Sequence, residues 1–273
     1  MKTKKLIFSV LFIAFAIGLL SAQEKRNVSQ FDKISADRAI QVYFTQGNSY
    51  SLEIEGDVDK IKKVTTQVEN KVLKISLEKD YNPKGKLDIK VYVSAPELKE
   101  INLSSAATFK CDELNCKNFF EIDLSSASKV EINSLTVAEE IEIGASSAAY
   151  CSISNLKTNR SKIGISSAAK VEIDNLTAAE EIEINASSAA YCSISKLKVN
   201  KGKLRASSAA KMNIDITDSK EIKVESSGQA SITLSGQTRF ITASASSGSN
   251  IDIRNLKYNK SEIKKSNGAD IHQ

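Results

Sequence analysis

Along most of the chain, apolar or small residues stand at every second position. From Ile141 the run is Ile141, Ile143, Ala145, Ser147, Ala149, Cys151 and Ile153, with Leu156 after a shift, and Ile182, Ile184, Ala186, Ser188, Ala190, Cys192, Ile194 and Leu197 repeat it. A period of two places alternate side chains on opposite faces of a strand, whereas a helix would need a period near 3.6. The pattern predicts strands with one face in a core, and Ser147 and Ser188 are expected to share that inward face.

The strands are punctuated by Ser-Ser-Ala-Ala or a close variant. It begins at Ser104, Ser125, Ser146, Ser166, Ser187, Ser207, Ser226 and Ser246, and in degraded form at Ser266. Residues 125–165 and 166–206 match at 29 of 41 positions, so the repeat is doubled. A unit of about 20 residues has no room for the extra elements of a leucine-rich or propeller repeat. It fits one coil of a single-stack parallel β-solenoid, an all-β fold, with Ile and Leu in the interior and Ser and Ala at a tight corner. At about 4.8 Å per coil, nine coils span roughly 40 Å.

The chain ahead of the repeat reads differently. Lys2, Lys4 and Lys5 precede an apolar run from Leu6 to Leu20 and then Ser21-Ala22, the pattern of a signal peptide over residues 1–22. The run is shorter than the roughly 20 residues that stable membrane insertion needs. Residues 23–97 are expected to form a β-rich cap continuous with the array at 98–273, one domain in all. Strands are predicted at 39–45, 50–55, 64–68, 71–77 and 86–93, with a helical turn at 57–63. A solenoid end exposes unpaired strand edges, so an irregular leading segment has a structural task.

Setting aside the three leader lysines, 35 basic and 33 acidic side chains remain. That balance speaks against nucleic acid as a partner. Of the four cysteines, Cys151 and Cys192 hold the same inward repeat position two coils apart, too far for a disulfide. Cys111 also aligns with an inward Ile, Cys116 is expected in a turn, and a local bridge between these two stays open. No metal or cofactor is expected, because the lone histidine, His272, has no clustered partners.

Outward positions carry a charge pattern. Six residues before each serine pair stand Phe119, Glu140, Arg160, Glu181, Lys201, Glu221 (after one deletion) and Phe240, and two residues further on stand Glu142, Lys162, Glu183 and Lys203. Opposite charges would face each other across coils, at about 0.2–1 kcal/mol per pair. The clusters at Glu139, Glu140, Glu142 and Glu180, Glu181, Glu183 follow the repeat and read as scaffold; catalytic carboxylates should break it. A second outward stripe, Lys129, Tyr150, Lys170, Tyr191 and Lys211, offers alternating cations and rings. It either covers the sheet or forms a binding strip for a polysaccharide or an extended surface protein. Phe119 and Phe240 are further candidates for partner contact or for packing against the cap.

Gly56-Asp57 followed by Lys63-Val64, then Pro96-Glu97-Leu98 and iterated serine corners, some still Ser-Ser-Gly (Ser226 to Gly228, Ser246 to Gly248), resemble the bacterial head GIN domain family. The family name assigns its members to the heads of auto-transporter adhesins. The resemblance brings no catalytic residues. The expected function is a non-enzymatic, exported binding, adhesin-like or structural module at the bacterial cell envelope, in the periplasm, on the outer surface or released. The alternative is a polysaccharide lyase or hydrolase on a β-helix scaffold, an analogy of fold alone. Such enzymes build clefts from long loops, and here coil length varies by only two residues. Ice binding would need a Thr-x-Thr ladder that this chain lacks.

Overall fold

The computed structural model describes residues 21–83, 85 and 87–273. The expected signal peptide lies outside the described residues except for Ser21 and Ala22, which open β1 (Ser21–Arg26). β2 (Lys33–Ala36), β3 (Gln41–Gln46), β4 (Ser51–Asp57), the helical turn α1 (Val58–Ile61), β5 (Val64–Glu69), β6 (Val72–Leu77) and β7 (Lys90–Ala95) follow. The five predicted strands and the turn are all present with shifted ends. Lys86, the predicted start of the last strand, lies outside the described residues. Asp57 caps α1, its carboxylate accepting from the amides of Asp59 (3.0 Å) and Lys60 (3.2 Å).

Parallel stacking starts earlier than the serine repeat. β2 pairs in parallel with β6 and with β8 (Glu100–Leu103), while β3 pairs in parallel with β7 and with β9 (Thr108–Cys116). Between β2 and β3, Arg38 and Ala39 take φ of 53° and 59°, the amide of Ile40 donates to the Asp37 carbonyl (3.3 Å), and the amide of Ala39 donates to the Ser105 carbonyl (2.8 Å). This is the serine corner in form, without a serine pair.

The array continues through β10 (Phe119–Leu124), β11 (Lys129–Val137) and β12 (Glu140–Ala145), then as one long strand per coil. These are β13 (Tyr150–Ile165), β14 (Lys170–Ala186), β15 (Tyr191–Ala206), β16 (Lys211–Ser226), β17 (Ser231–Ala245) and β18 (Asn250–Lys265), with the short β19 (Asp270–His272) last. Each pairs in parallel with the next coil. In β14, alternation breaks at Asp174 and Asn175 and again at Ala179 to Glu181, where consecutive side chains turn outward. Two bends and one corner thus divide a coil into three straight runs around a core of Val171, Ile173, Leu176, Ile182 and Ile184.

The corner itself corrects the sequence reading. Ser147 does not face inward: Ser147 (φ 52°) and Ala148 (φ 60°) are both exposed, between buried Ala145 and Ala149. With the amide of Ala149 donating to the Ser146 carbonyl (3.1 Å), this is a type I′ turn. Ala149 stands four positions after Ala145, an even step, so the inward phase resumes as though unbroken. Left-handed backbone costs a non-glycine residue roughly 1–2 kcal/mol. Stacking offsets it: the amide of Ala127 donates to the Ser147 carbonyl (2.9 Å) and that of Ala148 to the Ser167 carbonyl (3.0 Å), coil after coil. The corner assigned to Ser226 begins instead at Ser227. Ser226 stands opposite Ala206, is buried and bonds the Ala230 carbonyl (3.2 Å), while Gly228 and Gln229 have the positive φ. Glu221 then falls six residues before the corner with no deletion.

The two ends are built differently. At the start, β4 lies antiparallel on β7, β1 on β4, and β5 on β6. Arg26 ties the two flaps together, donating to the carbonyls of Val64 (2.6 Å) and Ile61 (3.1 Å). Phe31, Leu52 and Ile61 are buried there. At the other end β19 covers only Asn250 to Asp252. Among the described residues no strand pairs with the outer edge of the rest of β18, and Tyr258, Ile263 and Ile271 are only partly buried.

All four cysteines are free and buried. Cys116 ends β9 rather than lying in a turn, and its thiol donates to the Leu98 carbonyl (3.3 Å), as that of Cys111 does to the Glu113 carbonyl (3.3 Å). Burial pushes the Cys111 thiol up to about 11 and those of Cys116, Cys151 and Cys192 up to about 12, so none is a thiolate at neutral pH.

Candidate functional site

The long strands place outward side chains in straight rows across the coils. Phe119, Glu140, Arg160, Glu181, Lys201, Glu221 and Phe240 do occupy one row, and Glu142, Lys162, Glu183 and Lys203 the next. The contacts, however, run largely on the diagonal. Lys162 meets Glu140 (2.6 Å), not Glu142, and Arg160 meets Glu140 (3.1 Å) and Glu180 (3.3 Å), not Glu181. Long basic side chains reach a diagonal neighbour as readily as the one opposite. A third row supplies the best-connected group: Arg205 holds Glu183 (2.6 Å) and Glu225 (2.8 Å). The hydrogen bond from Lys162 holds the Glu140 carboxyl below its usual range.

Nearer the cap the alternation fails. Glu100, Glu121 and Glu142 stand in register on adjacent coils, with only Lys33 bonded to Glu100 (2.5 Å) at the end of the row. Burial, then the adjacent Asp123 carboxylate, raises the Glu121 pKa. Gly144 leaves room for Asp123, whose Oδ1 would lie 2.6 Å from a Cβ at that position.

On the run that follows the corner in each coil, Lys129, Tyr150, Lys170, Tyr191 and Lys211 form one continuous row. The Lys129 ammonium lies 5.1 Å from the Tyr150 ring centre, and that of Lys170 lies 5.6 Å from Tyr150 and 5.3 Å from Tyr191. Each contact stabilises by about 0.5–1 kcal/mol at a solvent-facing site. The Tyr150 hydroxyl donates to Glu172 (2.7 Å), which also pairs with Lys170 (2.8 Å), while Glu131 joins Lys129 (2.5 Å) to Lys110 (2.8 Å). The Asn213 amide donates to the Tyr191 hydroxyl (3.2 Å). Burial first, and then Glu172, raises the Tyr150 phenol pKa. The row is therefore half-buried and pinned at its ring ends, and Lys211 projects freely beyond it.

Phe119 is 41% exposed beside Lys33, Lys99 and Glu121. Phe240 is half-buried between Glu221 and Lys260. Five charged residues separate them along the row, so they form no joint patch. Among the described residues no group of His, Cys, Asp or Glu is arranged to hold a metal ion, and no helix is long and apolar enough to cross a membrane. The sequence reading missed an aromatic pair on the same sheet: Tyr43 and Tyr92 stack with ring centres 5.3 Å apart. Their alternation with buried Val42, Phe44, Val91 and Val93 marks both as outward. Their adjacency depends on β3 pairing with β7, 49 residues away in sequence, across three intervening strands.

No curated protein matches the chain. Solved structures share the fold at low identity. A "putative adhesin" from Parabacteroides merdae has 16% identity and a TM-score of 0.62 over 92% of this chain and 95% of that one. A "putative lipid binding protein" from Parabacteroides distasonis has 15% identity and a TM-score of 0.64 over 92% and 96%. A "putative adhesin" from Bacteroides fragilis has 15% identity and a TM-score of 0.54 over 92% and 96%. The family model described as "Putative auto-transporter adhesin, head GIN domain" matches residues 30–195 and 182–272. With nearly the whole described chain matched, the protein belongs to this head GIN domain family.

Proposed function

We propose that this protein is an exported, non-enzymatic binding module of the bacterial cell envelope, adhesin-like in action. The observation that carries the reading is the Lys129 to Lys211 row. It is a line of cations and rings in register across five parallel strands, spaced by the coil repeat and suited to an extended polymer. Rings present apolar faces to a polysaccharide or to an extended surface protein, and Lys211, the ammonium of the row without an ion-pair partner among the described residues, takes up an acidic group. The adhesin and lipid-binding names carried by proteins of the same fold support binding as the shared task. Glu140, Glu180 and Glu183, repeated within the array, are engaged in ion pairs, which suits scaffold carboxylates.

Co-sedimentation with insoluble envelope polysaccharide tests the row. Replacing both Tyr150 and Tyr191 by Ala is expected to leave the fold intact and weaken binding about tenfold. Unchanged sedimentation removes the row as the binding surface. Protease shaving of intact cells tests the location: loss of the protein while a periplasmic control survives puts it outside, and protection puts it in the periplasm.

A further inference from the structure

Beside the Tyr43 and Tyr92 pair, β1, β4, β7, β3 and the two loops after β1 and β3 enclose a groove of about 680 Å³, within the range of small-molecule sites. Strand register sets its interior. Lys25, Glu53, Tyr92 and Tyr43 lie side by side on four neighbouring strands. The next outward row is Ser51, Ser94 and Thr45. Asn27 and Tyr50 complete the lining from the loop sides.

Three features stand out. Tyr92 is 38% exposed, one of few large apolar side chains left so open among the described residues, yet it is held still. Its ring stacks on Tyr43 at 27°, and its hydroxyl donates to Glu55 (3.0 Å), itself clamped by Lys90 (3.0 Å). Lys25 and Glu53 are direct register partners of opposite charge, but they make no ion pair. Asn27 and the hydroxyls of Ser51, Ser94 and Thr45 likewise spend no side-chain hydrogen bond on another described residue. The groove thus holds a fixed aromatic wall and an unspent mixture of donors and acceptors, with Lys25 balanced by Glu53; Arg26 also borders it, but its guanidinium is spent on Glu24 and on the carbonyls of Val64 and Ile61.

We infer that this groove binds a neutral glycan, one or two pyranose units long, at the cap end of the solenoid. A pyranose has one face of C–H groups, which packs on an aromatic ring, and a rim of hydroxyls that each donate and accept. Beside the rings, the Glu53 carboxylate accepts from such hydroxyls and the Lys25 ammonium donates to them. A polyanionic sugar would bring its carboxylates against Glu53, and an acyl chain would strand the hydroxyl row without partners. The inference rests on the binding-module reading and adds a ligand class and a second site to it. Tyr43 is followed in the same row by Lys110, which pairs with the Glu131 that also holds Lys129, so the groove opens onto the start of the lysine and tyrosine row.

Saturation-transfer difference NMR on the protein tests this, with neutral trisaccharides of glucose, galactose or N-acetylglucosamine as probes and tri-galacturonate as the acidic control. At least one neutral probe is expected to bind more tightly than tri-galacturonate. Tyr92→Ala should weaken that binding about tenfold, and Glu53→Gln about fivefold. Tyr92→Phe, which keeps the ring and loses only the Glu55 anchor, should stay within about threefold and guards against misfolding as the cause. The Tyr150→Ala, Tyr191→Ala double variant should bind the neutral probe unchanged. Failure of every neutral probe to bind, or full binding by Tyr92→Ala, overturns the groove. Failure of every neutral probe together with tri-galacturonate binding that is lost only in the double variant overturns the groove while leaving the proposed function standing.

Discussion

The first and last coils close the same core in opposite ways. At the start the chain adds strands that run against the solenoid direction, and β1, β4 and β5 turn the last parallel edges into hairpin-like flaps clamped by Arg26 over Phe31, Leu52 and Ile61. At the finish no described strand other than the short β19 is folded over β18. Its outer edge is instead studded with Arg254, Lys257, Lys260, Lys264 and Lys265, all exposed. Only Arg254 of these has an ion-pair partner among the described residues, the Asp252 carboxyl, which that contact holds at about 2. A parallel stack can thus be ended by covering its edge or by making the edge repellent to another strand. The first device adds burial and stability. The second adds only solubility.

The largest expected effect comes from the covered end. Phe31→Ala should lower stability by about 3–5 kcal/mol in urea denaturation, and Leu256→Ala at the open end by about 2 kcal/mol. Equal losses would mean the flaps contribute no more than ordinary stacking. Amide exchange should agree, with β18 and β19 exchanging well before β3 and β7. Next, if charge keeps the far edge single, Lys260→Thr with Lys264→Thr should produce concentration-dependent dimers in sedimentation velocity; a persistent monomer would show that edge shape, not charge, prevents pairing. A smaller change lies in the corners. The last three use glycine at one left-handed position, Gly228, Gly248 and Gly268, where the coils run out, while the central ones hold Ser and Ala there under stacking on both sides. Ala189→Val should therefore cost about 2 kcal/mol of stability, while Ala189→Gly should be neutral or stabilising by up to about 1 kcal/mol. Thermal melts of the pair decide this.

The smallest effect belongs to the coil nearest the cap. Because Glu121 has a raised pKa, the folded state favours its protonated form; its charge opposes folding once pH rises above about 4.5 and has no effect below that. Glu121→Gln should then raise stability at pH 7 by about 0.5 kcal/mol, discounted for exposure, and make no difference below about pH 4. The reverse holds for Glu140, whose lowered pKa contributes stability above about 4.5 that fades as the pH falls through the lowered value.

What could be read from the sequence follows from the range of each interaction. The coil, its core and the two charged rows depend on a short repeat and an even period, and Val130, Cys151, Val171 and Cys192 stack as the alignment places them. Ser147 was misread because a four-residue type I′ turn preserves the parity of alternation and so leaves no trace in it. The diagonal ion pairs were invisible because register fixes Cα positions and not where a lysine ends. The groove was missed for a topological reason: Tyr43 and Tyr92 meet only after an insertion of antiparallel strands, and nothing in the repeat encodes that crossing.

The doubled repeat also makes this molecule a ruler with a fixed graduation. Copying the two-coil segment 125–165 once more would lengthen the shaft by about 9.5 Å and, across the new joint, keep Arg160 facing Glu140, Lys162 facing Glu142 and Tyr150 facing Lys129. Copying a single coil would set like on like at the new joint: glutamate on glutamate for residues 125–145, or arginine on arginine and lysine on lysine for residues 146–165. The reach of such a head is therefore adjustable by gene duplication, but only in whole pairs.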